Sequence, residues 1–302
     1  MTEALLEPAA GRQGPGPIAA RLVEALALAL VRRAGGPMPG EHRASQVGGG
    51  TELDRLRVYQ PGDDVRHLDP AASARTGQPH VRVHVPERLI TSWIVLDVSP
   101  SMAFGTADRL KADVAEGVVR VLGRLATRRG GRVALLTCGG AHDRLIPPRG
   151  GRGASVPLER VLDEGVSVDG HGDPHGLGRA LARLARITRM PGFVTVISDF
   201  RGLLDWQTPM RALAARHSVV AVEVGDPREQ TLPPVGRLAL VDPETGRRIE
   251  VDTRSPRLRE RYERREHAER EEVRSELRRA GVEHVALSTD GPWLEELGRR
   301  LR

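Results

Sequence analysis

Asp97-Val-Ser-Pro-Ser-Met102 places one carboxylate and two hydroxyls at alternate positions, at the close of an apolar run that begins at Trp93. Oxygen donors of this hardness, with no His or Cys among them, suit Mg²⁺ or Mn²⁺, ions that favour octahedral oxygen coordination and retain part of their water. A second acid, Asp199, ends another apolar run, Val194-Thr-Val-Ile-Ser-Asp199. If both runs are strands of one open α/β sheet, Asp97, Ser99, Ser101 and Asp199 meet at its carboxyl edge, where such folds bind ligands. By itself Asp-x-Ser-x-Ser is a common turn string, because Ser and Asp side chains also satisfy turn backbones. Position at two strand ends is what makes it a metal site, and the arrangement leaves one coordination position free.

The elements that must hold these residues follow from hydrophobic periodicity. Short, fully apolar strands are expected at Trp93–Val98, Arg132–Cys138, Phe193–Ser198 and Ser218–Val224, alternating with helices at Ala107–Arg128, Pro157–Asp163, His175–Thr188 and Thr208–Arg216. Buried strands joined by crossover helices predict a doubly wound, mostly parallel α/β sheet. After Gly225 the pattern changes to a hairpin, Leu238–Val241 and Arg248–Val251, turned by Asp242-Pro-Glu-Thr-Gly246. A charged helix from Pro256 to Ala280 keeps a thin apolar stripe in Leu258, Tyr262, Val273 and Leu277, so it should rest, solvated, on the domain. A strand at His284–Ser288 and a helix from Pro292 close the chain.

Ahead of this domain, residues 1–16 read as a disordered tail and Pro17–Arg33 as a helix, with Ile18, Leu22, Leu26 and Leu30 on one face. Gly35–Gly50 reads as loop. Residues 52–88 mix turn chemistry with the period-two strand Val81-Arg-Val-His-Val. The domain plan is therefore a tail (1–16), a helix with a small β-rich accessory element (17–91), and the α/β domain with its hairpin and charged helix (92–302). Asp63, Asp64, Arg66, Asp69 and Arg75 lie in the accessory element, where their spacing favours turn capping and salt bridges that pin it to the main domain.

Composition narrows the function. The 302 residues carry a formal charge of +6, yet the isoelectric point is 10.6, because Lys111 is the sole lysine and almost every other base is a non-titrating arginine. The arginines are interleaved with acids, and aromatics make up only 3%, too few for base stacking, which argues against nucleic acid as the partner. Cys138, the lone cysteine, ends an apolar run and reads as an inert buried residue. A single thiol, no basic leader and no apolar run long enough to span a bilayer point to a cytoplasmic protein without a transmembrane segment.

The run Gly40-Glu-His-Arg, then Arg57-Val-Tyr-Gln-Pro-Gly-Asp-Asp-Val-Arg66, His67-Leu-Asp69, Ser73-Ala-Arg75, Glu87-Arg88 and Asp97-Val-Ser-Pro-Ser-Met102 resembles the bacterial domain-of-unknown-function family 58, over about residues 35–225. The resemblance implies a von Willebrand factor A-like fold with a metal-ion-dependent adhesion site. It makes Ser99 and Ser101 direct ligands, with Asp97 and Asp199 acting largely through water. It also implies a protein partner whose Asp or Glu completes the metal, and a setting beside a MoxR-type AAA+ ATPase, with this chain as adaptor. Where the family usually has Gly-Thr-Asp-Leu, this chain reads Gly170-His-Gly-Asp-Pro-His-Gly-Leu177, so a threonine ligand is missing. Asp173 is the candidate to replace its oxygen, while His175 occupies its register.

Two other readings compete. A metal-free scaffold would treat the lost threonine as a sign of a degenerate site. A Mg²⁺-dependent phosphotransferase would use a strand-end Asp as nucleophile. Such enzymes carry Asp-x-Asp there; this chain has Asp-x-Ser, and neither a phosphate-cradling Gly-x-x-x-x-Gly-Lys loop nor a Gly-x-Ser-x-Gly elbow. Arg149-Gly-Gly-Arg-Gly is read as a flexible surface loop rather than an anion site. The expectation is a binding module, not an enzyme.

Overall fold

A computed structural model describes Arg21 and residues 52–61, 63–85, 91–106, 109–128, 131–167 and 170–300. The expected tail, the helix at 17–33 (Arg21 apart) and the loop at 35–50 lie outside these residues, as do Gly40-Glu-His-Arg and Glu87-Arg88. The described residues fall into two compact units, one within 42–89 and one within 90–302.

The first unit pairs β1 (Glu52–Val58) antiparallel with β2 (His80–Val85), and a short helix, α1 (Pro70–Thr76), lies between them in sequence. Strand β1 and helix α1 were not foreseen from sequence. The acids act locally: Asp63 forms a two-point ion pair with Arg57, while Asp69 caps α1 through the Ala72 N–H and pairs with Arg82. Asp64 caps the turn at Val65–His67 by accepting from Arg66 N.

The second unit is built on six strands in the order β10-β7-β6-β3-β4-β5. Numbered along the chain, these are β3 (Thr91–Asp97), β4 (Arg132–Cys138), β5 (Leu145–Gly150), β6 (Phe193–Ser198), β7 (Ser218–Gly225) and β10 (Glu283–Ser288). Every pairing is parallel except β4 with β5. Because side chains alternate along a strand, Ile94 and Leu96 of β3 face one core and Trp93 and Val95 the other.

Helices α2 (Lys111–Arg128), α3 (Arg152–Glu164) and α7 (Trp293–Arg300) supply residues to the first core. Helices α4 (Gly176–Ile187), α5 (Gln207–Ala214) and α6 (Pro256–Arg279) supply the second. Each fully buried Leu or Val, such as Leu135, Val196 and Leu181, contributes roughly 1.5–3 kcal/mol. A separate antiparallel ribbon, β8 (Arg237–Val241) with β9 (Arg248–Asp252), forms the expected hairpin.

Three expectations need correction. Arg149 and Gly150 end strand β5 and Arg152 opens helix α3, so Arg149-Gly-Gly-Arg-Gly is a strand-to-helix junction and not a free loop. Pro157 sits inside α3 instead of starting it. Helix α6 does bury Val273 and Leu277, but it also buries Glu266 and Glu276, which pair with Arg201 and Arg211. The helix is thus fastened by ion pairs as well as by its stripe. Among the described residues no helix is long and apolar enough to cross a membrane.

Candidate metal centre

The chain leaves β3 for β4 on one side and later returns to β6 on the other, so the sheet reverses its winding between β3 and β6. In open α/β sheets ligands bind outside the carboxyl ends of the strands at such a reversal. Asp97 ends β3, and Asp199 follows β6 directly. The loop after Asp97 is held by its own sequence: Pro100 fixes the first position of a tight turn over Pro100–Ala103, and Met102, wholly buried, anchors the turn in the core. Ser99 and Ser101 are left facing one another, their Oγ atoms 3.0 Å apart and both residues buried.

Asp97 Oδ1 accepts from Ser99 N at 2.9 Å, and its Oδ2 from the Ser198 hydroxyl at 2.6 Å. A third strand end closes in at Gly139, after β4, whose φ of 82° lies in the left-handed region. A Cβ there would come within 2.6 Å of Asp97 Oδ1, so glycine serves both the turn and the close approach. Phe200, next to Asp199, also has a positive φ of 53° although it is not glycine; burial against Trp206 and a bond from its N–H to Ser198 Oγ hold it there. Backbone strain of this kind gathers at ligand sites.

The two strand-end acids differ in their surroundings. Burial, and after it the neighbouring charge of Asp199, pushes the Asp97 carboxyl up to about 6. Burial would raise Asp199 as well, but the ammonium of Lys111 outweighs it and holds that carboxyl below its usual range. Lys111 is fully buried and bridges Asp199 Oδ2 at 2.7 Å and Glu229 Oε1 at 2.6 Å. Arg201 extends the network, its backbone N–H reaching Asp199 and its guanidinium Glu266.

Asp97, Ser99, Ser101 and Asp199 are thus brought to one edge. Asp173 lies on the neighbouring loop, its N–H bonded to Gly139 O, but its carboxylate pairs with Arg179 and accepts from His175 N. The His175 ring pairs with Asp205, 2.8 Å away. Sequence reasoning missed Lys111, Glu229 and Glu244. The one available signal was Lys111 as the only lysine in an arginine-rich chain. Glu244, in the turn between β8 and β9, accepts from Ser101 N at 3.2 Å.

A divalent cation fits part of this set. A buried hydroxyl pair beside a carboxylate without a counter-charge is what a hard cation needs, and the buried Glu244 Oε2 has no hydrogen-bond partner. Lys111 already neutralises Asp199, so that acid would act from behind the hydroxyls. Among the described residues no three His, Cys, Asp or Glu side chains form a cage for a metal; any site here depends on the serines.

A doubly wound α/β domain with hydroxyls and acids gathered where the sheet reverses places the chain among the open-sheet α/β folds. It belongs to the family described as "Protein of unknown function DUF58", matched over residues 55–272. The match extends past residue 225, where the sequence resemblance fades, and takes in the hairpin with Glu244. The chain is 36% identical over 291 residues to Uncharacterized protein Rv1480 of Mycobacterium tuberculosis and, to the same degree, to Uncharacterized protein Mb1516 of Mycobacterium bovis, covering 94% of this chain and 89% of each relative. Among solved structures it is similar to the conserved hypothetical protein BatB of Bacteroides thetaiotaomicron, with a TM-score of 0.44, 17% identity, and coverage of 70% of this chain and 96% of that one. The SpRpn10 VWA domain gives a TM-score of 0.35 at 14% identity, covering 45% and 76%. These superpositions are too loose to add to the sheet order itself.

Proposed function

We propose that the chain is a metal-dependent protein-binding module of the von Willebrand factor A kind, in which Ser99 and Ser101 hold Mg²⁺ or Mn²⁺ supported by Asp97 and Asp199, and a partner's Asp or Glu docks on the open position. The observation that carries this reading is the serine pair, 3.0 Å apart and buried, beside an Asp97 that no lysine, arginine or histidine neutralises among the described residues. Asp173 stands by as a further acid on the adjacent loop, available only if it leaves Arg179. The setting that family membership suggests is adaptor to a MoxR-type AAA+ ATPase that assembles or remodels a client complex.

A ligand bound only by the folded state raises stability by mass action, about 2.7 kcal/mol at a hundredfold excess over Kd. Mg²⁺ should therefore raise the melting temperature of the chain and EDTA should reverse the rise. Asp97→Ala with Ser99→Ala should remove the response. A pull-down with and without Mg²⁺ then tests the partner; capture that is indifferent to the ion and to the double variant would remove the adhesion reading.

One observation favours a second reading, a scaffold without the ion: Lys111 is a built-in cation at one of the two strand-end acids. A melting temperature unmoved by Mg²⁺ or Mn²⁺ would select it. The same lysine weighs against phosphotransfer, since it is fully buried and committed to two carboxylates, and so is not free to neutralise a phosphate.

A further inference from the structure

The turn joining β8 to β9 is seated on the candidate metal centre. Gly170 donates its N–H to Pro243 O at 2.8 Å, and a Cβ added at Gly170 would meet Gly246 at 3.8 Å, so the turn lies against the loop ahead of α4. From this turn the Glu244 carboxylate enters between Pro100, Ser101 and Gly172. Its Oε1 takes the Ser101 N–H at 3.2 Å. Its Oε2 is buried without a hydrogen-bond partner. A Cβ on Gly172 would collide with that oxygen, so the missing side chain at 172 makes the space Glu244 uses.

The result is a chain of contacts: the Ser99 N–H on Asp97, the Ser99 and Ser101 hydroxyls on each other, and the Ser101 N–H on Glu244. An acid stands at each end of a hydroxyl pair, and neither has a cation partner among the described residues. A buried carboxylate oxygen without a hydrogen-bond partner is costly to seat unless positive charge joins it. The other candidates for this place are engaged elsewhere, Asp173 by Arg179 and His175 by Asp205.

We propose that Glu244 is the chain's own acid for the position the serine pair leaves open, an internal ligand that a partner's carboxylate must displace. The inference rests on the metal reading given above. In the resting chain the hairpin covers the site, and partner binding requires the turn at 242–246 to lift from the loop at 170–172.

The probe is Mn²⁺ alone, titrated into the full chain and followed by the electron paramagnetic resonance signal of the free ion. Glu244→Ala should weaken Mn²⁺ binding about tenfold or more, the size expected when an oxygen partner of a metal site is lost. Mn²⁺ should also slow amide exchange at 242–246 in the wild type and not in Glu244→Ala. Gly172→Ala, which keeps the glutamate but fills its space, should reproduce the loss, and the double variant should add nothing further. If the wild type binds Mn²⁺, Asp97→Ala with Ser99→Ala abolishes binding, and Glu244→Ala leaves both affinity and exchange unchanged, the internal ligand is refuted while the metal site stands. A wild type that takes up no Mn²⁺ overturns both.

Discussion

The carboxyl edge of the sheet has two halves that treat a buried acid in opposite ways. Beyond β6 and β7 the two acids that follow the strand ends are answered from within. Asp199 has the Lys111 ammonium, and Asp226, after β7, accepts from Thr106 N and Oγ1, Arg228 N and Thr289 Oγ1. Beyond β3, Asp97 and Glu244 have only neutral donors. A fold can settle a buried carboxylate with a fixed cation or with enough fixed dipoles. Where it supplies neither in full, a charge is left unanswered, and the proposed metal reading makes the β3 half the site and the other half its frame.

The largest effect should come from breaking the frame. Lys111→Met leaves Asp199 and Glu229 buried without their cation, and removing one partner of such a pair costs about 3–5 kcal/mol. Urea denaturation should show this as a lower midpoint with unchanged slope. A midpoint close to wild type would mean the frame is not held by this ion pair. In the same variant Mg²⁺ should stabilise more than it does in the wild type, because Asp199 then has no other counter-charge.

Asp226→Asn comes next. It turns an acceptor toward four donors into a donor at one end, for about 2 kcal/mol. Burial pushes the Asp226 carboxyl up, but the hydroxyls of Thr289 and Thr106 and the N–H groups of Thr106 and Arg228 outweigh it and leave it below the usual range. A folded-state value below the unfolded one means stabilisation that is complete above the unfolded value of about 3.9 and lost as pH falls through the folded value. Denaturation midpoints should show no Asp226 contribution to pH dependence between pH 7 and 5. Below about pH 4 the wild type should lose stability that Asp226→Asn does not.

The frame and the site were not equally legible in the sequence. Arg132–Cys138 and Phe193–Ser198 are strands at both ends as expected, since a strand covered on both faces must be a continuous apolar run. Strand β5 escaped because it is an edge strand with Pro147 and Pro148 where its pairing with β4 slips, at a place that needs no amide hydrogen. Asp97, Ser99, Ser101 and Asp199 could be placed together because each is fixed by its own strand end. Lys111 and Glu244 could not, because their partners lie 88 and 143 residues away and only the folded sheet brings them near. Local pattern locates backbone; it says little about which distant side chain answers a charge.

The smallest change is the sharpest. Asp97→Asn keeps an oxygen for Ser99 N, turns one acceptor, the one facing the Ser198 hydroxyl, into a donor, and gives up a charge that burial and Asp199 already oppose. In metal-free protein it should therefore shift stability by about 1 kcal/mol, the size of one hydrogen bond and well short of the cost of an unpaired buried charge. In Mg²⁺ the wild type should gain stability and the variant should not. The contrast with Lys111→Met is then one of kind: the same edge of the same sheet tolerates loss of one acid's charge and not loss of the other acid's cation. Should Asp97→Asn cost as much as Lys111→Met, the β3 half would be settled as firmly as its neighbour, and no charge would be missing there for a cation to supply.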